Sequence, residues 1–367
     1  MNKQIAQYAV RQAKNTYRFL LVLIASLTFT QSFGQEVPAF VYYSNLTPQT
    51  GFPKWLQSAR SAVIIDLEED WKTFSEKVHR KLRLMSVDAV QYVDYRDMNA
   101  GKDATKTILE YLKQRQITYL LTFTKNKSDQ YELNITDLEG FLKPGTHVSY
   151  QYAGVELKGL LKYVANELIK ADLEKSNFLV AEKPEFLEDV AAIKGRKFEV
   201  HARDLSTLKL AVPKFQKITK ETIDTAIAKE PLLAYNRQVD AWNVELEQIL
   251  KASFPYKYEM VASTDARELY KEGFQYALLN FHTKGVSIKK MLNMKTEDAE
   301  TEYITSAAND VLERKAVTKV VFKFYVKHLY TNDIYTGDKW DAGDTWQEAL
   351  RNYLYHYRKF VTRGKGK

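Results

Sequence analysis

Cysteine is absent from all 367 residues. Disulfides, thiolate metal sites and a lipid carried on an N-terminal cysteine are thereby excluded. Histidine is scarce as well. His79, His147, His201, His282, His328 and His356 are scattered without an HxxxH or HxH pair, so no local element offers two imidazoles to one ion. Asp338, Asp341 and Asp344 recur at every third position, unlike the alternate-residue ligands of a calcium loop, and turn chemistry accounts for them. The chain also lacks a GxSxG elbow, a P-loop and a GxGxxG behind a strand. No metal and no other cofactor is expected.

Long apolar runs are nearly missing too, and the main one, Phe19 to Phe29, lies near the start. Lys3, Arg11, Lys14 and Arg18 precede it with no acid, and Ser32-Phe33-Gly34 sets small residues before a cut between Gly34 and Gln35. A bilayer span needs roughly 20 apolar residues, about twice this run. The expectation is a cleaved secretory signal over residues 1–34, with a retained anchor as the alternative. The working protein would then be periplasmic or secreted, with no transmembrane span after cleavage.

The net charge of +8 has a local origin. Four of the basic residues sit in the signal. Arg351, Arg358, Lys359, Arg363, Lys365 and Lys367 follow Glu348 with no acid among them. The body between is slightly acidic, so no nucleic-acid partner is expected. Residues 358–367 read as a basic, solvated tail that could touch an anionic surface.

What is present is a pattern stated twice. An ungapped internal echo sets Phe74, Val78, Leu82, Val90, Tyr92 and Val93 on Trp242, Leu246, Leu250, Tyr258, Met260 and Val261. In both copies the first three share a helix face and the last three a short strand. Apolar strands at Ala62–Ile65 and Leu208–Val212 precede these helices. Further strands at 117–123 and 274–281, alternating strands after them, and closing helices at 155–168 and 345–357 continue the parallel. The fold class expected is α/β (or α+β): two related β-α-β-α-β-β-α domains, each a mixed sheet with helices packed across it. The first domain spans 35–172 and the second 208–357. Residues 173–207 connect them, with a strand at Lys197–Ala202, and a charged insertion near 295–314 reads as a helix. Asp66 with Glu69, Asp265 with Glu268, and Asp344 with Gln347 have the spacing of helix-opening capping boxes. No Gly/Ser-rich linker divides the halves, so they are expected to pack together.

Two short motifs carry a family resemblance. Ala211-Val212-Pro213-Lys214-Phe215 matches a strand ending in AVxxF, and Tyr335-Thr336-Gly337-Asp338-Lys339-Trp340 a Thr-Gly turn before a closing helix. The second half thus resembles the small envelope α/β domains of the TolB N-terminal, LpoB and CsgG type. The first half departs from them, with Asp66 in place of the Phe. The resemblance implies an adaptor or scaffold that binds other envelope proteins.

An exported, non-catalytic protein-binding adaptor or scaffold is therefore the leading expectation. The sharper chemical alternative is a magnesium-dependent phosphohydrolase. Val63-Ile64-Ile65-Asp66-Leu67-Glu68 puts acids at the carboxyl end of a first strand, where open α/β sheets bind ligands, and Asp94 and Asp97 follow the second strand. Glu68 stands where the haloacid-dehalogenase-like pattern has its second Asp. Glycan or peptidoglycan binding is a further alternative. The chain has 24 Tyr, 18 Phe and 5 Trp, and Tyr330, Tyr335 and Trp340 lie on or beside an expected hairpin where rings could stack on sugars or partners.

Overall fold

Ala62–Ile65 is an uninterrupted apolar run, the pattern of a strand covered on both faces. It forms the buried part of β2 (Arg60–Ile65). In the computed structural model, the structure describes residues 46–126, 128–141, 147–188, 192–217, 229–296, 301–308 and 311–364. The signal segment and the expected cut at Gly34 and Gln35 lie outside the described residues.

Around β2 the first half adds β1 (Leu46–Gln49), α1 (Trp71–Leu84), β3 (Asp88–Asp94), α2 (Tyr95–Met98) and α3 (Lys102–Gln114). Then come β4 (Ile117–Lys125), β5 (Tyr131–Asp137), α4 (Leu138–Phe141), β6 (His147–Gly154) and α5 (Leu157–Ala171). The sheet order is β1-β6-β5-β4-β2-β3. Its β2, β3 and β4 run parallel, β5 is antiparallel to both β4 and β6, and β1 closes the far edge parallel to β6. Helix period explains α1: Trp71, Phe74, Val78 and Leu82 all turn inward. They pack with Leu160, Leu161, Val164 and Leu168 of α5 on one face of the sheet. The other face holds Ala62, Ile64, Val93 and Leu120 against Met98, Ile108 and Leu112.

The second half repeats this layout. It comprises β7 (Lys197–Phe198), β8 (Leu210–Pro213), α6 (Lys229–Ser253), β9 (Tyr258–Val261), α7 (Ala266–Lys271) and β10 (Tyr276–Lys284). After these come α8 (Gly285–Met291), β11 (Thr301–Thr305), β12 (Leu312–Ala316), β13 (Val320–His328), β14 (Ile334–Tyr335) and α9 (Trp346–Gly364). Its order β7-β14-β13-β10-β8-β9 reproduces the first sheet strand for strand, with the same parallel and antiparallel pairings. The architecture is two related mixed sheets, each with helices packed across it.

Four expectations need correction, the first being that residues 358–364 continue α9 instead of opening a solvated tail, with Phe360 packed on His201 and Tyr357. The insertion near 295–314 is not a helix: β11 and β12 pair as an antiparallel ribbon, Thr301 opposite Ala316. Ile304 and Thr305 are buried beneath it, so the alternation in TEYIT decided the structure over the charge content. The strand expected at Lys197–Ala202 shrinks to Lys197–Phe198, which pairs with β14. The capping boxes are partly displaced. Asp70, not Asp66, caps α1 and accepts from Thr73 N at 2.8 Å. Before α9, Thr345 Oγ1 accepts from Glu348 N while Glu348 accepts from Asp344 N, so the pair sits one residue beyond Asp344 and Gln347. Asp265 does cap α7, accepting from Arg267 N and Glu268 N.

Candidate functional site

The carboxyl ends of β2 and β3 are where the hydrolase alternative placed its acids. Asp66 leaves β2 with its N–H donated to Phe123 O, half-buried at the sheet end. Asp94 and Asp97 turn away toward the second half. Asp94 caps α2 through Arg96 N and forms an ion pair with Lys284 at 2.9 Å, with only 7% of its side chain exposed. Thr283 and Ser287 hydroxyls donate to the two oxygens of Asp97, at 2.7 and 3.0 Å. Burial pushes the Asp97 carboxyl up, the neighbouring Asp94 adds to this, and the two hydroxyls and Lys284 oppose it. Asp103, at the start of α3, completes the row by accepting from Tyr325 and pairing with Lys327 at 2.6 Å.

This row is a seam. Ala100 O accepts from His282 N at 2.7 Å, and Ala100 and Ala104 enter the apolar core of the second half. A Cβ on Gly101 would stand 2.7 Å from Asn280 O, so only glycine lets the two backbones approach this closely. Asp94 and Asp97 are thus brought together with lysine and hydroxyl partners that hold the halves to each other. Sequence spacing flagged both acids, but their partners lie some two hundred residues away and had no local signal.

The three aromatic candidates do not share one surface environment. Tyr330 is 71% exposed and stacks on Tyr270, ring centres 5.6 Å apart. Tyr335 is half-buried, stacked on Phe198 and edge-on to Tyr276. Trp340 packs against the second core with Lys289 over its ring at 5.0 Å.

The aspartates of the GDKWDAGD stretch also diverge. Asp338 is exposed, Asp344 pairs with Lys315 and Lys319, and Asp341 is sealed inside against Lys323, Nζ to Oδ1 2.6 Å, with neither side chain exposed. Lys323 also donates to Thr336 O and Phe324 O, satisfying the ammonium. His201 packs beside this knot between Tyr353, Tyr357 and Gly337, and burial lowers its pKa to about 3. Among the described residues no group of three His, Asp or Glu is placed to hold a metal ion. Among them too, no helix is long and apolar enough to cross a membrane.

A concave surface that no spacing pattern announced lies between α1 and α5. It is an open groove of about 750 Å³. Leu84 (77% exposed) and Val155 (74%) stand in its wall with Leu157 and Leu161 deeper, and Lys77, Arg80, Lys81 and Lys158 ring it. The sequence signal existed in retrospect: Lys77, Arg80, Lys81 and Leu84 sit at i, i+3, i+4, i+7 on the face of α1 next to its buried stripe. The chain matches no protein-family model, no curated protein and no solved structure.

Proposed function

We propose that this chain is an exported envelope protein, periplasmic or secreted, that works as a non-catalytic adaptor by binding other proteins. The observation that carries the reading is the α1–α5 groove, whose wall leaves Leu84 and Val155 largely open to water. Two large apolar side chains exposed in one concavity favour a protein contact, since each costs free energy until covered. The commitment of Asp94 and Asp97 to the seam supports the same reading over the phosphohydrolase, because those carboxylates already hold internal partners. The resemblance of the second half to envelope adaptor domains points the same way.

Cross-linking the tagged full-length chain in its own cells, followed by recovery from the envelope fraction, tests this. A discrete protein partner, and a mature N-terminus at Gln35, are the expected results. A chain found only in the cytoplasm, or one that cross-links to nothing above an untagged control, would remove the reading. Phosphatase activity of the wild type that disappears in Asp66→Asn would replace it with the hydrolase. The exposed Tyr270–Tyr330 stack favours glycan binding as a second reading, tested by co-sedimentation with peptidoglycan before and after Tyr330→Ala.

A further inference from the structure

The internal echo that aligns Phe74, Val78 and Leu82 with Trp242, Leu246 and Leu250 also aligns the walls of two grooves. In the second half the groove between α6 and α9 is lined by Glu245, Gln248, Ile249 and Ala252. The matching positions of α1 are Lys77, Arg80, Lys81 and Leu84, and they line the groove of the first half. The same concavity therefore occurs twice, cationic in the first half and charge-paired in the second.

In the second half the concavity, about 670 Å³, stays open but its two walls are joined by an internal bridge. Arg351 Nη2 lies 3.3 Å from Glu245 Oε1, and Gln347 Nε2 donates to Glu245 Oε2 at 3.0 Å, tying α9 to α6. The buried residues Leu160, Leu161, Val164 and Leu168 of α5 match Ala349, Leu350, Tyr353 and Tyr357 of α9. By that alignment Lys158 and Lys162 occupy the positions of Gln347 and Arg351. Where one half sets an acid against a cation, the other sets Lys77 against lysines. Among the described residues none of Lys77, Arg80, Lys81 and Lys158 has a carboxylate partner. Two acids also line the groove, Glu69 and Glu156, of which Glu69 accepts from the Tyr131 hydroxyl. The concentration of unpaired cations is unfavourable for the free chain and is relieved by an anion brought from outside.

We propose that this groove takes an acidic amphipathic segment of a partner protein, its carboxylates meeting Lys77, Arg80, Lys81 and Lys158 and its apolar side chains covering Leu84 and Val155. The proposal rests on the adaptor reading and supplies the chemistry of the partner. The groove lies between two helices and pairs apolar wall with charged rim, which is how a helical peptide is received, with charge setting orientation and on-rate. A planar lipid surface meets convex patches and would leave Leu161, at the bottom, uncovered.

The test uses the full mature chain and a fluorescein-labelled 18-residue helical peptide of Glu and Leu, followed by anisotropy. The same peptide with Gln for Glu and phosphatidylglycerol vesicles serve as comparisons. Saturable binding that weakens with salt is expected, at least tenfold weaker in Lys77→Glu/Lys158→Glu and unchanged in Glu245→Lys, with circular dichroism showing all variants folded. No saturable binding, equal binding of the Gln peptide, or equal binding by the double variant overturns the proposal. Vesicle binding that depends on the same lysines without peptide binding does so too. If the peptide fails while wild type and double variant cross-link to the same cellular partner, only the groove assignment is lost. A chain that cross-links to nothing loses the adaptor reading as well.

Discussion

In the first half the outer edge of the sheet is strapped. Tyr92 of β3 donates its N–H to Glu185 O and accepts from Leu187 N, so the segment after α5 lies along the strand like a short extra one. Phe186 seals it edge-on against Trp71, and Lys72 pairs with Glu188. In the second half Met260 holds the position of Tyr92, and among the described residues no strand or bridge lies on the outer side of β9. That edge is short and carries Lys257 and Glu259, both exposed, which discourages pairing with another chain. The two sheets share strand order to the last pairing. They differ in what was laid around them: a strap on one edge, a β-ribbon inserted between β10 and β13, and an outer groove that is cationic in one half and charge-paired in the other. Topology is held by the core, and surface chemistry is free to diverge once that core is filled.

The comparison is broken most forcefully at the Lys323–Asp341 knot, since the ion pairs within the first half are partly exposed, as at Lys72–Glu188. Asp341→Ala leaves a buried ammonium without its counter-charge and should cost about 3–5 kcal/mol in urea unfolding. Replacing both partners, Lys323→Met with Asp341→Leu, should restore most of it. A single variant as stable as wild type would show that the pair is not sealed.

Leu82→Ala and Leu250→Ala probe the shared core at equivalent positions, with 2% and 0% of each side chain exposed. Each should lose about 2–5 kcal/mol. A loss at one position alone would deny that the two helices play the same part.

The second half should also weaken in acid. His201 is held neutral in the folded state with a pKa near 3, by burial first and the Lys323 charge second. The unfolded chain takes up that proton at an ordinary value of about 6.5, so stability is complete above it and declines as pH falls toward 3. The slope contributed is about 1.4 kcal/mol per pH unit. Denaturation at pH 7 and pH 5 should therefore show a smaller difference for His201→Phe than for wild type, and an unchanged difference would refute the assignment.

The smallest effect is expected at the grooves. Arg351→Ala removes a half-exposed pair and should cost under about 1 kcal/mol. Lys77→Glu, which gives the first half the acid of the second, should raise stability by a similar amount. A melting temperature lowered by Lys77→Glu would contradict the charge comparison.

Much of this fold could be read along the chain. Phe74, Val78 and Leu82 declare a helix face, and AVII declares a central strand, because burial selects the same spacing wherever it occurs. The strand β6 is not legible although Val148, Tyr150 and Tyr152 alternate, because Val148 is half exposed and the face they share is not uniformly buried. The ribbon at 301–316 resembles a helix in sequence because its outward face is charged like a solvent-exposed helix, while Ile304 beneath it is fully buried. Asp94 and Asp97 were legible as special residues, but their role was not, because Lys284, Thr283 and Ser287 are neighbours only in the fold.

By itself the sequence determined the period of each element and the doubled pattern, both of which depend on residues a few positions apart. It also determined that no thiol chemistry is available. Tertiary structure alone decided which acids face lysines across the seam, which lysine is sealed in the core, and which groove lacks its counter-charge. Those outcomes rest on distances between residues remote in sequence, and Coulomb energy and desolvation depend on such distances rather than on chain order.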